Sequence, residues 1–295
     1  MTPFKCGFIS ILGRPNVGKS TLFNRILGDK IAIVSEKRET TRKRILGIRN
    51  VEGGQLIFLD TPGIHKGRSR LNERMVSTAV ASGKDADVLL ILIEASSPAI
   101  EKDREMIESL RESRGTPLLV INKIDLVKKE TLLPIIHQYQ GLHPFKEILP
   151  ISAATGEGVD ILVDVILKYL PESPPHYPED MITDQSERFL VSEMIREKVI
   201  NHCYQELPFS TAITIEEFKE HPERNLVVVQ ATIHVERDSQ KKIVIGKAGQ
   251  KLKRIGETAR KEIEAFLGKR VFLELWVNVE KNWTRDPRAL NRLGY

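Results

Sequence analysis

Apolar residues in the first 170 positions come in short continuous runs: "GFISIL", "LIFLD", "VLLILIE", "PLLVIN" and "EILPIS". Each is bounded by turn residues or by a charged, helix-like stretch. Runs this short and uninterrupted mark strands covered on both faces of a parallel sheet, with helices between them. "RILGIRNVEGGQLIFLD" differs, because two short strands flank Glu52-Gly53-Gly54 and read as a hairpin. The pattern predicts an α/β domain, a doubly wound, mostly parallel sheet with one antiparallel strand and helices on both faces. Ligands of such sheets bind outside the C-terminal strand ends.

A helix is expected from near Gly158 to Leu170. "PESPPHYPED" follows, with four prolines in ten residues, which neither a helix nor a central strand accommodates. These signals place a first domain at 1–170, a proline-rich linker at 171–184 and a second domain at 185–295. The second domain opens with a helix over about 186–206, with Phe189, Met194, Ile195, Val199 and Cys203 near one face. "STAITIEEF" and "NLVVVQATIHVER" read as strands, and "KKIVIG" as a short helical turn. In "KLKRIGETARKEIEAFLG", Leu252, Ile255, Ala259, Ile263 and Phe266 fall at three- and four-residue spacing, the stripe of an amphipathic helix. "RVFLELWVNVE" alternates, with Val271, Leu273, Leu275, Val277 and Val279 on one face and Trp276 on the other. The second domain is therefore α+β: helix, strand, strand, short helix, glycine loop, helix, strand.

A chain of 295 residues is long enough for two domains with separate cores. Its 41% hydrophobic and 29% charged residues are ordinary for a globular protein in water, and no apolar run approaches the ~20 residues of a membrane span. "MTPFKCGFIS" has no signal-peptide pattern and no glycine after Met1, so a cytoplasmic protein is expected. Cys6 and Cys203 lie far apart, without zinc spacing, and read as buried thiols. The net charge is +5, and residues 185–295 carry +4 of it. Arg237–Arg254 alone holds seven basic residues against one acidic, the footprint of a phosphate-rich partner.

Gly13-Arg14-Pro15-Asn16-Val17-Gly18-Lys19-Ser20 fits G-x-x-x-x-G-K-[ST] between a predicted strand and a predicted helix, the context the motif requires. Its glycines let the backbone curl around phosphates, and the helix start, with Thr21, adds favourable dipole charge. Lys19 supplies a point charge for the β- and γ-phosphates, and the Ser20 hydroxyl a ligand for Mg²⁺. Asn122-Lys123-Ile124-Asp125 ends a later strand. The Asp125 carboxylate can accept from the N1–H and 2-amino group of guanine, donors that adenine lacks, and sites built on such bonds reject the deficient analogue by about 10⁴-fold or more. Ser152-Ala153-Ala154, at the next strand end, can offer backbone N–H to the guanine oxygen. Asp60 in "DTPG" is placed to organise Mg²⁺, Gly63 to turn its N–H toward the γ-phosphate, and Thr40 or Thr41 to reach the metal from a switch loop.

Together these segments resemble the G domain of Ras-like GTPases, a P-loop GTPase fold. The resemblance implies GTP and GDP as ligands, Mg²⁺ at Ser20, Thr41 and Asp60, and catalysis through Lys19, Thr41 and Gly63. The departure is Ile64, where many such enzymes carry a water-orienting glutamine. Asn16 matches the asparagine of a bacterial group with "NxGKST" loops, in which it helps to bind K⁺; K⁺ is implied here in that way.

"GKAG", Gly246–Gly249, is a G-x-x-G loop entering a basic amphipathic helix. The element order around it is that of a type II KH domain, whose loop clamps about four single-stranded nucleotides. Candidate RNA contacts are Ile245, Gly246, Lys247, Ala248, Gly249, Lys251, Leu252, Lys253 and Arg254, with Ile245 and Leu252 expected to be partly exposed. Trp283, beside Lys281 and Arg285, is a further candidate as a base platform. A GTPase domain, a proline-rich linker and a type II KH domain ending in "LGY" resemble the Era family of bacterial GTPases over nearly all 295 residues. That resemblance implies a monomer that binds the 3′ end of 16S ribosomal RNA, docks on the maturing small ribosomal subunit and associates peripherally with the inner membrane. A membrane-recruited signalling GTPase is the alternative.

Overall fold

The structure, a computed structural model, describes residues 3–34, 44–60, 86–110, 113–203 and 210–294. The described residues fall into two compact units, one of 3–32, 44–60, 86–110 and 113–184, the other of 33–34, 185–203 and 210–294.

In the first unit, β1 (Lys5–Gly13), β2 (Ile45–Val51), β3 (Gly54–Asp60), β4 (Val88–Glu94), β5 (Thr116–Asn122) and β6 (Glu147–Pro150) form one sheet in the order β2-β3-β1-β4-β5-β6. All neighbours are parallel except β2 with β3, which are joined by the expected hairpin. Helices α1 (Lys19–Leu27), α2 (Ile100–Ser109) and α3 (Leu132–Gln140) lie between strands, and α4 (Val159–Tyr169) follows β6. β3 and β4 are buried along nearly their whole length, as unbroken apolar runs require. β6 is only partly buried, because it is the edge strand. β1, β3 and β5 all end on one side, at Gly13, Asp60 and Asn122, so the motif residues converge on one rim.

The proline-rich segment 171–184 is held along this sheet. The Cys6 N–H donates to the Pro171 carbonyl (3.1 Å), and the Ser173 N–H donates to that of Phe4 (3.1 Å). Farther along, the Ile48 N–H donates to the Ile182 carbonyl (2.7 Å) and the Thr183 hydroxyl to that of Leu46 (2.6 Å). Between these ends Gln55 of β3, fully buried, takes the place of a strand peptide. Its Oε1 accepts from the His176 and Tyr177 N–H groups (2.9 and 3.0 Å), and its Nε2 donates to the Tyr177 carbonyl (2.9 Å). Proline-rich chain cannot form a full ladder, and a side-chain amide satisfies what remains. Tyr177 and Met181 pack on the small core of Cys6, Leu46, Ile48, Ile57 and Leu59.

The second unit contains α5 (Glu187–His202), β7 (Ala212–His221), β8 (Leu226–Val235), α6 (Asp238–Ile245), α7 (Gln250–Leu267), β9 (Arg270–Val279) and α8 (Pro287–Arg292). Its sheet runs β7-β8-β9, antiparallel then parallel. The core lies between this sheet and α5, α6 and α7. Val227, Val229, Ala231 and Ile233 of β8 face Val191, Ile195 and Val199 of α5 and the stripe Ile255, Ala259 and Ile263 of α7. "KKIVIG" is the end of a full helix, α6, rather than a single turn. Among the described residues, no helix is long and apolar enough to cross a membrane.

Candidate functional site

The phosphate loop joins β1 to α1. Asn16 (φ 67°) and Gly18 (φ 99°) adopt left-handed conformations that curl the backbone. A Cβ on Gly18 would stand 2.3 Å from the Asn122 Nδ2, so glycine is required there. Lys19 is buried at 7% exposure, and its ammonium donates to the Gly13 and Arg14 carbonyls (3.1 and 3.0 Å). Burial pulls its pKa down to about 8, opposed by the Asp60 charge. The lysine is thus held by main-chain oxygens in the place where phosphate oxygens would bind it. The Ser20 hydroxyl donates to Asp60 Oδ2 (3.1 Å) at the end of β3. Two buried oxygen donors so close together fit a small hard cation, which is bound through few protein ligands plus phosphate. Thr40, Thr41, Gly63 and Ile64 lie outside the described residues.

The end of β5 and the loop after β6 form the second half of the site. Asn122, nearly fully buried, donates to the Val17 carbonyl (2.8 Å) and accepts from the Ala153 N–H (2.9 Å), so one side chain joins the phosphate loop to the 152–155 loop. Lys123 (φ 65°) pairs with Glu94 at the end of β4. The Ser152 hydroxyl donates to Asp125 Oδ1 (2.6 Å), which fixes the carboxylate while leaving the Asp125 side chain exposed to a ligand. The structure therefore brings together Gly13, Asn16, Val17, Gly18, Lys19, Ser20, Thr21, Asp60, Asn122, Lys123, Asp125, Ser152, Ala153 and Ala154 at one rim.

Sequence reasoning missed two arginines. Arg14 pairs with Asp103 of α2 (2.5 Å), a fully buried carboxylate that also accepts from the buried Tyr139 hydroxyl of α3 (2.6 Å). Burial and that bond push the Tyr139 hydroxyl far above its ordinary pKa. The available signal was the spacing of Asp103 with Met106, Ile107 and Leu110, which puts a carboxylate on the apolar face of α2. Arg25 of α1 donates to the Ala153 and Ala154 carbonyls, and nothing in the local pattern marks it.

In the second unit, α6 ends at Gly246 (φ 73°), where a Cβ would lie 2.6 Å from that of Lys251. The turn Lys247–Gly249 follows, with Ala248 (φ 49°) and Gly249 (φ 76°) left-handed, and α7 begins at Gln250. Lys247, Ala248, Lys253 and Arg254 are exposed, and Lys251 is half-buried. Ile245 and Leu252 are half-buried on either side of the turn, as expected, and Ile243 is exposed. Trp283 does not fit its assigned role. It is fully buried, with its indole N–H donating to the Ser210 carbonyl (3.1 Å), so no base can stack on it. The tight turn Asn282–Arg285, with Asn282 at φ 58°, folds the tryptophan inward while Lys281 and Arg285 stay outside. Trp276 is the exposed tryptophan, on the outer face of β9.

A family described as "50S ribosome-binding GTPase" matches residues 8–123, and a KH domain family matches residues 206–284. The GTPase Era of Syntrophus aciditrophicus is 53% identical over 292 residues, covering 99% of this chain and 95% of that relative. The chain belongs to the GTPase Era family. The GTPase Era of Staphylococcus haemolyticus is 47% identical over 296 residues, covering 100% of this chain and 98% of its own length. A single-residue variant of Aquifex aeolicus Era, solved with GDP·AlF4⁻ bound, superposes with a TM-score of 0.96 at 44% identity, covering 99% of each chain. An Era complex with MgGDPNP and nucleotides 1506–1542 of 16S ribosomal RNA gives the same score, identity and coverage. As an Era-family GTPase the chain combines a P-loop GTPase unit with a C-terminal KH unit.

Proposed function

We propose that this GTPase is a GTP-controlled RNA-binding switch that grips the 3′ end of 16S ribosomal RNA and assists maturation of the small ribosomal subunit. The observation that supports it most is Asn122, which ties the phosphate loop to the base loop while Ser152 presents Asp125. Phosphate and guanine recognition are thereby built as one rigid rim in one unit, and an exposed G-x-x-G turn flanked by basic residues stands in the other.

In this reading Lys19, already desolvated, exchanges main-chain carbonyls for β- and γ-phosphate oxygens and stabilises the charge that develops between them. Ser20 and Asp60, with Thr41, would hold Mg²⁺ when it is bound, which neutralises phosphate charge. The Gly63 N–H orients the γ-phosphate. Ile64 cannot orient water, so intrinsic hydrolysis is slow, and Asn16 would supply a ligand to K⁺ when that ion is bound. The GKAG turn approaches the RNA backbone through Gly246–Gly249, Lys247, Lys251, Lys253 and Arg254 supply charge, and Ile245 and Leu252 form the apolar wall under the bases. The protein acts as a cytoplasmic monomer with peripheral contact to the inner membrane surface.

The test is ultraviolet crosslinking of the full-length protein in cells, followed by sequencing of attached RNA. Reads concentrated at the 3′ end of 16S ribosomal RNA, and lost on deletion of residues 185–295, are expected. An even spread over abundant RNAs would overturn the assignment.

A further inference from the structure

Arg25 sits in the last turn of α1, the helix whose first turn carries Lys19 and Ser20. Its Nε donates to the Ala153 carbonyl (3.2 Å) and its Nη2 to the Ala154 carbonyl. A planar guanidinium fork thus engages two successive peptide groups, a geometry that lysine cannot reproduce. The neighbouring amides have acceptors of their own. The Ser152 N–H donates to the Glu157 carbonyl (2.9 Å), Ala153 to Asn122 Oδ1 (2.9 Å), Thr155 to Ser152 Oγ (3.2 Å) and Gly156 to the Ser152 carbonyl (2.8 Å). Among the described residues, the Ala154 N–H alone in this loop has no acceptor.

The Ala153–Ala154 peptide is trans, so its C=O and N–H point in opposite directions. With the carbonyl fixed on Arg25, the Ala154 N–H must face away from α1. The same loop is joined to Asn122 through Ala153 and to Asp125 through Ser152, the two residues of the base site. We propose that Arg25 is a positioning residue for guanine selectivity: it locks the Ala153–Ala154 peptide so that the Ala154 N–H donates to the guanine 6-oxygen. Asp125 then reads the N1 and 2-amino edge and Arg25, through Ala154, the 6-oxygen. Because α1 also carries Lys19, the same helix sets phosphate and base recognition. The inference rests on the guanine-site reading above.

The experiment compares binding of GDP, 6-thioguanosine diphosphate and xanthosine diphosphate to the full-length parent, Arg25→Ala and Arg25→Lys, with Asp125→Asn alongside. The thio analogue keeps the edge that Asp125 reads and weakens only the acceptor at position 6. Arg25→Ala should lower GDP affinity by roughly tenfold, about the worth of one well-made hydrogen bond, and bring the GDP to thio-GDP ratio close to one. Its GDP to xanthosine diphosphate ratio should stay at the parent value, which a general loosening of the pocket would not leave intact. Arg25→Lys should fall between the two and decides the matter if Arg25→Ala does not fold. An unchanged thio ratio in both variants would overturn the role of Arg25. If Asp125→Asn fails to gain xanthosine diphosphate, the guanine pocket itself is misassigned, a different failure.

Discussion

Arg14, in the phosphate loop, is paired at 2.5 Å with Asp103 of α2, a carboxylate with no exposure to solvent. The Arg14 carbonyl is also an acceptor for Lys19, so the pair fixes the main-chain oxygen that holds the Lys19 ammonium. Tyr139 donates to the other Asp103 oxygen and ties the arrangement to α3.

Removing one partner of a buried ion pair leaves the other uncompensated, at a cost of about 3–5 kcal/mol when both are buried. Arg14 is 19% exposed, so the cost here should lie below that range. Asp103→Ala should lower the stability of the first unit and weaken GDP binding. Tyr139→Phe should cost less, and the double mutant should lose less than the sum, with a coupling of about 0.5–3 kcal/mol. Denaturation of the four proteins closes the cycle, and strictly additive losses would show that Tyr139 does not act through Asp103.

Potassium offers a second check. If Asn16 is a K⁺ ligand, replacing Na⁺ by K⁺ should raise the rate of phosphate release, and Asn16→Ala should erase the difference. Its left-handed backbone (φ 67°) is one that glycine also adopts freely, so Asn16→Gly, which keeps that tolerance but has no side-chain oxygen, separates loop geometry from ligand chemistry. Equal rates in both salts would remove K⁺ from the site and leave the GTPase assignment standing.

Much of this architecture could be read from local pattern, and the exceptions share a cause. The stripe Ile255, Ala259 and Ile263 is a local, periodic signal, and all three are fully buried. The phosphate loop and NKID are contiguous words placed by the strands that precede them. Trp283 misled because its basic neighbours in sequence are not its neighbours in space: its partner Ser210 lies 73 positions away. Segment 171–184 was legible as chain that cannot be helix or strand, but its composition does not say that Gln55, 121 positions before His176, holds it. Arg25 was invisible for the same reason, since its partners lie 128 and 129 positions on. Periodicity reports which face is buried, whereas side-chain to main-chain bonds between distant elements leave no period.

The second unit carries a titratable group of its own. His234 on β8 is 8% exposed, with its Nε2 against the Thr214 hydroxyl (2.9 Å) and its Nδ1 3.2 Å from Glu280. Burial pushes its pKa below the ordinary imidazole value, Glu280 and Glu216 pull the other way, and Arg292 adds to the lowering. The unfolded chain therefore takes up the proton first as pH falls. The stability His234 contributes is present above about pH 6.5, the unfolded value, and is lost as pH drops through the lower folded value. Both tryptophans of the chain, Trp276 and Trp283, lie in this unit, so their fluorescence reports its unfolding selectively. The urea midpoint should fall between pH 7.5 and 5.5, and His234→Gln should flatten that dependence. A parallel decline in the variant would assign the effect to other groups.

The GKAG turn admits a test in which folding and binding separate. Lys247 and Ala248 are exposed, so neither contributes to the core. Ala248 sits at φ 49°, a left-handed conformation that aspartate tolerates better than most residues. Lys247→Asp with Ala248→Asp should therefore leave the turn intact while placing two carboxylates where an RNA phosphate would approach. Affinity for single-stranded RNA ending in the 16S 3′ sequence should fall at least about tenfold, and the slope of log affinity against log salt should flatten by about one unit, because fewer counterions are released. GTP binding should be unchanged, since the described residues of the nucleotide site all belong to the first unit. Filter binding at several salt concentrations, with tryptophan fluorescence to confirm folding, reads both quantities. Undiminished RNA affinity in a folded variant would reduce Gly246–Gly249 to a connection between α6 and α7 and move the RNA elsewhere on the molecule.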